Sequence, residues 1–188
     1  CPVCNSKIMT ARSSDVRKAI DTWSQKGKTF AFQTLTMRHH KGQTLEELWN
    51  GLSFAWQRLN SGATAKSEVS KYGQAGFIRV VEITHGENGW HIHIHILRFL
   101  ERSLTSVERA EWTEAQFKRW SKALTSQGFA EPSRAAQDFK LTKSADDLAR
   151  YLTKQGNFGG KLSLELTSQA TKKLAGEGVS LSTSWKIT

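Results

Sequence analysis

The sequence predicts an α+β domain in which helices cover one face of an antiparallel β-sheet. One observation is the stretch Phe77–Leu100, which is rich in β-branched and aromatic residues and carries the turn signal Asn88-Gly89. Another is the amphipathic helical pattern of Thr44–Asn60. The third is the order of the predicted elements, β-α-β-β-α-β-α, with hairpin pairing at its centre. The 188 residues suffice for one domain with an ordinary core.

Each element is predicted from its own periodicity. Thr44 and Glu47 form a capping box at the start of the clearest helix, and Gly128 ends a later one. The small, polar stretch Gly62–Gly76 is interpreted as a loop. The predicted elements are, in order, a helix at Asp15–Lys26 capped by Ser14, a strand at Thr29–Thr36, a helix at Thr44–Asn60, the strands Phe77–Thr84 and Trp90–Phe99, a helix at Thr113–Gln127, a short strand at Asp138–Thr142, a helix from Ser144 to about Gln155, a helix at Leu162–Leu174 and a strand at Val179–Ile187.

The composition favours a polyanionic partner. The net charge is +10 with a pI of about 9.8, and the basic residues recur along the chain instead of forming one tail. No basic amphipathic anchor and no apolar run of transmembrane length is present, so nucleic acid is expected before a membrane surface. The seven tryptophans add aromatic surface that can stack on unpaired bases, although most are expected in the core.

The two cysteines stand together at the start of the chain, in Cys1-Pro2-Val3-Cys4. A CxxC pair is typical of half a zinc site or of a redox pair, and no thioredoxin-like strand precedes it here. We interpret residues 1–12 as the remaining half of a zinc knuckle, separate from the main domain at residues 13–188. An unused remnant is the equal alternative. Because the chain begins without methionine, we expect it to be a fragment.

The strand after the predicted turn carries three histidines in strict alternation. Side chains two apart share a face of a strand, so His91, His93 and His95 line one face and isoleucines line the other. A two- or four-residue loop brings Glu82 onto the histidine face, opposite His93 or His95. Two imidazoles and a carboxylate form a three-ligand site for a divalent metal with open positions, with His91 as the alternative third ligand. The alternative is a strand whose histidines are ordinary polar residues facing solvent. An odd loop length would place Glu82 on the wrong face.

A second group of polar residues lies on the predicted helix SADDLARYLTKQ. Asp147, Tyr151 and Lys154 are spaced i, i+4 and i+7 and therefore share a helix face. A phenol needs activation to attack a phosphodiester at neutral pH, and a neighbouring ammonium and carboxylate can provide it. Taken alone, an ordinary amphipathic helix with solvated charges explains the same pattern.

The segments TFAFQTLT, WHIHIHIL and DLARYLTKQ, in that order, resemble the three motifs of the HUH endonucleases. Within that superfamily the chain is most similar to the Rep_1-type rolling-circle replication initiators of bacterial plasmids. The opening CPVCNSKI is similar to the cysteine-rich segment before motif one of actinobacterial members.

The resemblance implies a ferredoxin-like HUH palm and a metal-dependent enzyme of the bacterial cytoplasm that nicks and rejoins single-stranded origin DNA. Cleavage would leave a 5′-phosphotyrosine on Tyr151 and a free 3′-hydroxyl. The paired motif histidines fall on His93 and His95, with His91 just before them. Asp147 stands where relatives with one tyrosine usually carry a glutamate that activates a water for the terminating cleavage. A divalent ion, Mn²⁺ or Mg²⁺, is the expected cofactor, with Zn²⁺ at Cys1 and Cys4 in the full-length protein.

Single-stranded DNA must reach such a site along exposed cations, and a host helicase is an expected partner. The candidate DNA-binding residues are Arg38, His39, Arg98, Lys118, Arg119 and Lys122. A relaxase or transposase of the same superfamily is the closest alternative, but relaxases commonly place the tyrosine ahead of the histidines. A non-catalytic zinc-dependent DNA-binding protein and a hydrolase acting through a metal-bound water are the alternatives from other classes.

Overall fold

A computed structural model of the chain describes residues 15, 16 and 18–142. The described residues fall into two compact units, one containing residues up to Thr29 and the other containing Phe30–Leu141. The elements are α1 (residues 15, 16 and 18–25), β1 (Thr29–Thr36), α2 (Leu45–Leu59), α3 (Gly62–Tyr72), β2 (Gln74–Gly86), β3 (Gly89–Leu100), α4 (Ser106–Thr125), a 3₁₀ turn (Arg134–Ala136) and β4 (Asp138–Thr142). No helix in this part of the chain is both long and apolar enough to cross a membrane.

The four strands form one antiparallel sheet in the order β2-β3-β1-β4. The chain order from β1 to β4 is strand, helices, two strands, helix, strand, and this spatial order places the first strand between the third and the fourth. That connectivity is the ferredoxin-like split βαβ arrangement. The predicted α+β class and ferredoxin-like palm are therefore confirmed.

The central hairpin closes through a two-residue turn. Gly86 pairs with Gly89 across the turn, and the register then runs regularly through Thr84 opposite His91 to Glu82 opposite His93. Gly89 has a positive φ of 88°, which L side chains rarely adopt. A Cβ at this position would lie 3.0 Å from the Cα of Lys41, so the loop after β1 passes directly against the hairpin. The even loop length required for Glu82 to share the histidine face is present.

The two faces of β3 have different surroundings. Ile92, Ile94 and Ile96 are fully buried on the face covered by α2 and α4. The apolar stripe of α2 supplies much of that core, and its buried residues are Leu45, Leu48, Gly51, Leu52, Ala55 and Leu59. The histidines lie on the opposite face, beside Phe32 and Thr34 of β1.

The predicted loop at Gly62–Gly76 is wrong, because Gly62–Tyr72 is helix α3. Its small polar residues do not indicate the two long-range contacts that hold this helix against α4. Tyr72 stacks on Trp112 with ring centroids 4.7 Å apart, and Glu68 accepts hydrogen bonds from Arg119. Gly73 then ends the helix in the left-handed conformation.

Helix α4 begins seven residues earlier than the predicted Thr113. Thr105 is the N-cap, and it forms a capping box with Glu108. Thr113 lies inside the helix and donates its hydroxyl to the carbonyl of Arg109 at 2.7 Å, a bond that interior threonines form with the preceding turn. The helices and strand predicted after Thr142 lie outside the described residues.

Candidate metal centre

Glu82, His93 and His95 bring three ligand atoms to one place on the histidine face. Each residue offers one nitrogen or oxygen atom, and these atoms all lie within 4.8 Å of one another. Glu82 of β2 stands directly opposite His93 of β3, and His95 follows two residues along the same face. The His95 Nε2 and Glu82 Oε2 atoms are 2.8 Å apart. All three groups therefore come from one hairpin.

The protonation of the cluster suits metal ligation. Burial lowers the pKa of His93 below its ordinary value of 6.5, so its imidazole is neutral at pH 7. The hydrogen bond with His95 lowers the pKa of Glu82, which keeps this carboxylate charged. Metals bind neutral imidazole and ionised carboxylate. The cluster therefore needs no change in protonation of these two groups at neutral pH.

The donor set fits a divalent cation. Two imidazoles and one carboxylate would provide three ligands to such an ion and leave other coordination positions open. The Nδ1 atom of His95 lies 3.2 Å from the Thr34 hydroxyl, and its Nε2 atom points at Glu82. His95 would thus bind a metal through Nε2. Mn²⁺ and Mg²⁺ both accept oxygen ligands, and imidazole favours Mn²⁺ of the two.

His91, the predicted alternative ligand, lies outside the three-residue cluster. Its ring instead meets that of His39 with centroids 4.0 Å apart, in an edge-to-face arrangement. Burial and then the charge of His91 lower the pKa of His39. His39 belongs to the loop after β1, and Arg38 beside it is exposed. This contact brings two of the predicted DNA-binding residues to the histidine-bearing strand.

The other predicted DNA-binding cations belong to the opposite face. Arg98 is fully buried, so the expectation that it is exposed is wrong. Its guanidinium donates to the side-chain oxygens of Gln33, Gln74 and Gln116, and burial lowers its pKa to about 9. It follows Ile96 on the isoleucine side of β3 because two residues along a strand return to the same face.

The three candidate residues on α4 differ in exposure. Arg119 was predicted to point outward, but it donates to both carboxylate oxygens of Glu68 and its side chain is only 23% exposed. Lys118 and Lys122 are exposed, and Lys118 lies 3.5 Å from Glu114. Since α4 packs on the isoleucine face, the structure does not bring these residues to the candidate metal site.

Sequence reasoning missed Thr34, whose hydroxyl contacts His95. The alternation of TFAFQTLT carried the signal, because it places Thr34 on the same face of β1 as Phe32, which stacks on the His95 ring. The predicted catalytic residues Asp147, Tyr151 and Lys154 and the cysteines Cys1 and Cys4 lie outside the described residues.

Comparison with known proteins identifies the family of this chain. The family described as Rep_1, replication protein, matches residues 1–179. The chain belongs to the Rep_1 family. A relative named Protein rep from Streptomyces lividans is 29% identical over 95% of this chain and 49% of its own length. Proteins of the same name from Lactiplantibacillus plantarum and Streptococcus pneumoniae serotype 2 are 29% and 31% identical, over 84% and 60% of this chain.

This Rep_1 chain spans about half or less of those relatives, with 52% and 37% of the Lactiplantibacillus and Streptococcus proteins covered. No solved structure matches the chain.

Proposed function

We propose that this Rep_1 protein is a plasmid rolling-circle replication initiator, an HUH enzyme that nicks and rejoins single-stranded origin DNA in the bacterial cytoplasm. The observation that carries the proposal is the Glu82, His93 and His95 cluster on the central hairpin of a ferredoxin-like sheet. Two imidazoles and a carboxylate within reach of a single ion are the donor set of a divalent-metal site, which binding of DNA alone would not require.

In this proposal Glu82, His93 and His95 hold Mn²⁺ or Mg²⁺. A bound divalent ion would polarise the scissile phosphate and offset the charge that develops on its oxygens. The neutral imidazole of His93 and the ionised Glu82 provide a ligand set with a single negative charge, so a divalent cation keeps a net positive charge toward DNA.

Tyr151 is the proposed nucleophile. Its phenolic oxygen attacks the phosphorus, the bond from phosphorus to the 3′-oxygen breaks, and that oxygen takes up a proton to become the free 3′-hydroxyl. The DNA remains attached through a 5′-phosphotyrosine. Lys154 screens the phosphate charge, and Asp147 accepts a proton from the phenol or from the nucleophile of the second cleavage. Attack of a 3′-hydroxyl on the phosphotyrosine reverses the step and joins the strand.

The loop after β1 is the proposed path for the DNA backbone toward the cluster. Arg38 is exposed there, and His39 contacts His91 two residues before the metal ligand His93. Arg98 has no place in this path because it is buried. A helicase of the host would extend the unwound region after nicking.

Covalent capture tests the proposal. The protein is incubated with Mn²⁺ and a library of single-stranded oligonucleotides that includes the plasmid origin, and denaturant-resistant adducts are mapped by mass spectrometry. We expect an adduct on Tyr151 that Tyr151→Phe abolishes. Tyr72→Phe is the matched control. Tyr72, the other tyrosine of the chain, is buried against Trp112, and its loss should leave the adduct in place.

Two outcomes would contradict the proposal. Metal-dependent cleavage without any adduct, retained in Tyr151→Phe, would identify a hydrolase that uses a metal-bound water. Origin binding with neither cleavage nor adduct at any Mn²⁺ concentration would identify a non-catalytic DNA-binding protein.

A further inference from the structure

Strand β1, next to the candidate metal site, places a hydroxyl against the His95 ring. Thr34 Oγ1 of β1 lies 3.2 Å from His95 Nδ1, on the side of the imidazole ring away from Glu82. We propose that Thr34 is a positioning residue that orients the His95 imidazole for metal binding. This inference rests on the proposed metal-dependent function.

The chemistry follows from the two nitrogens of the imidazole. When Nε2 binds a metal, the ring proton must sit on Nδ1, and a buried N–H needs an acceptor. The Thr34 hydroxyl can accept that bond, and it can also donate to Nδ1 when the proton sits on Nε2 beside Glu82. One hydroxyl therefore satisfies both tautomers, and His95, only 6% exposed, keeps the same ring orientation with and without metal.

Strand β1 is fixed where it presents Thr34. On the opposite face the adjacent residue, Gln33, accepts two hydrogen bonds from Arg98 at 3.1 and 2.7 Å and donates one to Gln116 at 2.8 Å. Two residues beyond Thr34, the Trp120 indole donates to the carbonyl of Thr36 at 2.7 Å. These bonds tie β1 to β3 and α4, so the hydroxyl is held at a set distance from the ligand.

Phe32 restrains the same imidazole from a second direction. Its ring stacks on that of His95 with centroids 5.8 Å apart and an interplanar angle of 24°. A stacked ring limits tilting of the imidazole plane but does not select between rotations within that plane. The Thr34 hydroxyl selects one rotation within the plane, because a hydrogen bond to Nδ1 fixes the direction in which Nε2 points.

The test compares two substitutions at position 34 with one at position 36. Thr34→Val removes the hydroxyl and keeps the β-branched shape that suits a strand, whereas Thr34→Ser keeps the hydroxyl. Thr36→Val is the matched control, because Thr36 Oγ1 accepts a bond from Gln137 and not from a histidine. Mn²⁺ affinity is measured on each protein without DNA, from the electron paramagnetic resonance signal of the free ion, together with the melting temperature of the metal-free protein.

We expect Thr34→Val to weaken Mn²⁺ binding by about tenfold, the lower end of what outer-shell partners of metal ligands contribute. Thr34→Ser should restore most of the affinity, and Thr36→Val should match the wild type. Equal Mn²⁺ affinity in Thr34→Val and wild type would overturn the inference while leaving the metal site intact. An equal loss in all three variants would also overturn it, since that pattern reports a general disturbance of β1.

Absence of Mn²⁺ binding in the wild type would instead contradict the proposed function itself. Thr34→Ala provides a second hydroxyl-free variant if the valine protein melts below the measuring temperature. A Mn²⁺ affinity in Thr34→Ser no higher than that of the hydroxyl-free variants would count against a hydrogen-bonding role.

Discussion

The two faces of strand β3 are built from residues that alternate along one short segment, yet they serve different ends. Ile92, Ile94 and Ile96 have no exposed surface and join the helices, whereas His93 and His95 meet a carboxylate on the other face. The alternation of isoleucine and histidine along one strand therefore supplies both the core and the candidate metal site. The two faces should respond differently to substitution, and the predictions below test that separation.

The largest expected effect is a loss of Mn²⁺ affinity that occurs on substitution of His93 and not of its neighbour Ile94. His93→Ala removes a ligand and should weaken Mn²⁺ binding by more than about 100-fold, beyond the loss typical of outer-shell partners. Ile94→Ala should keep the Mn²⁺ affinity but lower the free energy of unfolding by about 3 kcal/mol, because it leaves a cavity in the core. Urea unfolding and Mn²⁺ titration on both variants measure the two effects. Loss of metal binding in Ile94→Ala at temperatures where it is folded would contradict the separation.

Arg98 sharpens the comparison because it is a cation on the core face. Arg98→Met should lower the free energy of unfolding by about 2 kcal/mol, since the side-chain oxygens of the buried Gln33 and Gln116 and of the partly buried Gln74 lose a donor. Arg79→Met is the matched control. Arg79 lies on the same face but stacks on Trp56 and is only partly buried, so its loss should cost less. Urea unfolding gives both values, and a larger loss for Arg79→Met would show that the glutamine network contributes little.

The smallest effect concerns pH. Because the pKa of His93 lies below 6.5, its imidazole stays neutral as the pH falls toward that value. The contribution of His93 to Mn²⁺ affinity should therefore be nearly constant from pH 8 to pH 6.5, and it should weaken at lower pH as protons compete for the imidazole, by at most about tenfold per pH unit. Mn²⁺ titrations at half-unit intervals measure this. A decline that begins well above pH 6.5 would mean that protons compete for the site at a higher pH than the lowered pKa of His93 accounts for.

Short-range patterns predicted the part of the site that lies on one hairpin. The Asn88-Gly89 signal and the alternation of histidines predicted that an even loop would bring Glu82 opposite His93 or His95, and the observed partner of Glu82 is His93. The choice between Glu82 and His91 as third ligand could not be made from the sequence. It depends on the ring of His39, which comes from a loop some fifty residues earlier.

Long-range contacts account for most of what the sequence did not predict. Helix α3 depends on Tyr72 and Glu68 meeting α4, which its own small polar residues do not indicate. Arg98 is a cation, as many DNA-binding residues are, and its burial depends on distant partners that include three glutamines from β1, β2 and α4. The role of Thr34 likewise needs the pairing of β1 beside β3, which no local pattern specifies.

Gly89 links the geometry of the hairpin turn to the position of the loop after β1. Its positive φ and the 3.0 Å approach to the Lys41 Cα together disfavour any side chain at this position. Any larger residue would have to displace the backbone that follows Arg38 and His39. A substitution at position 89 would therefore disturb both the turn and the loop after β1, which is the proposed path for DNA, although glycine has no side chain of its own to contact DNA.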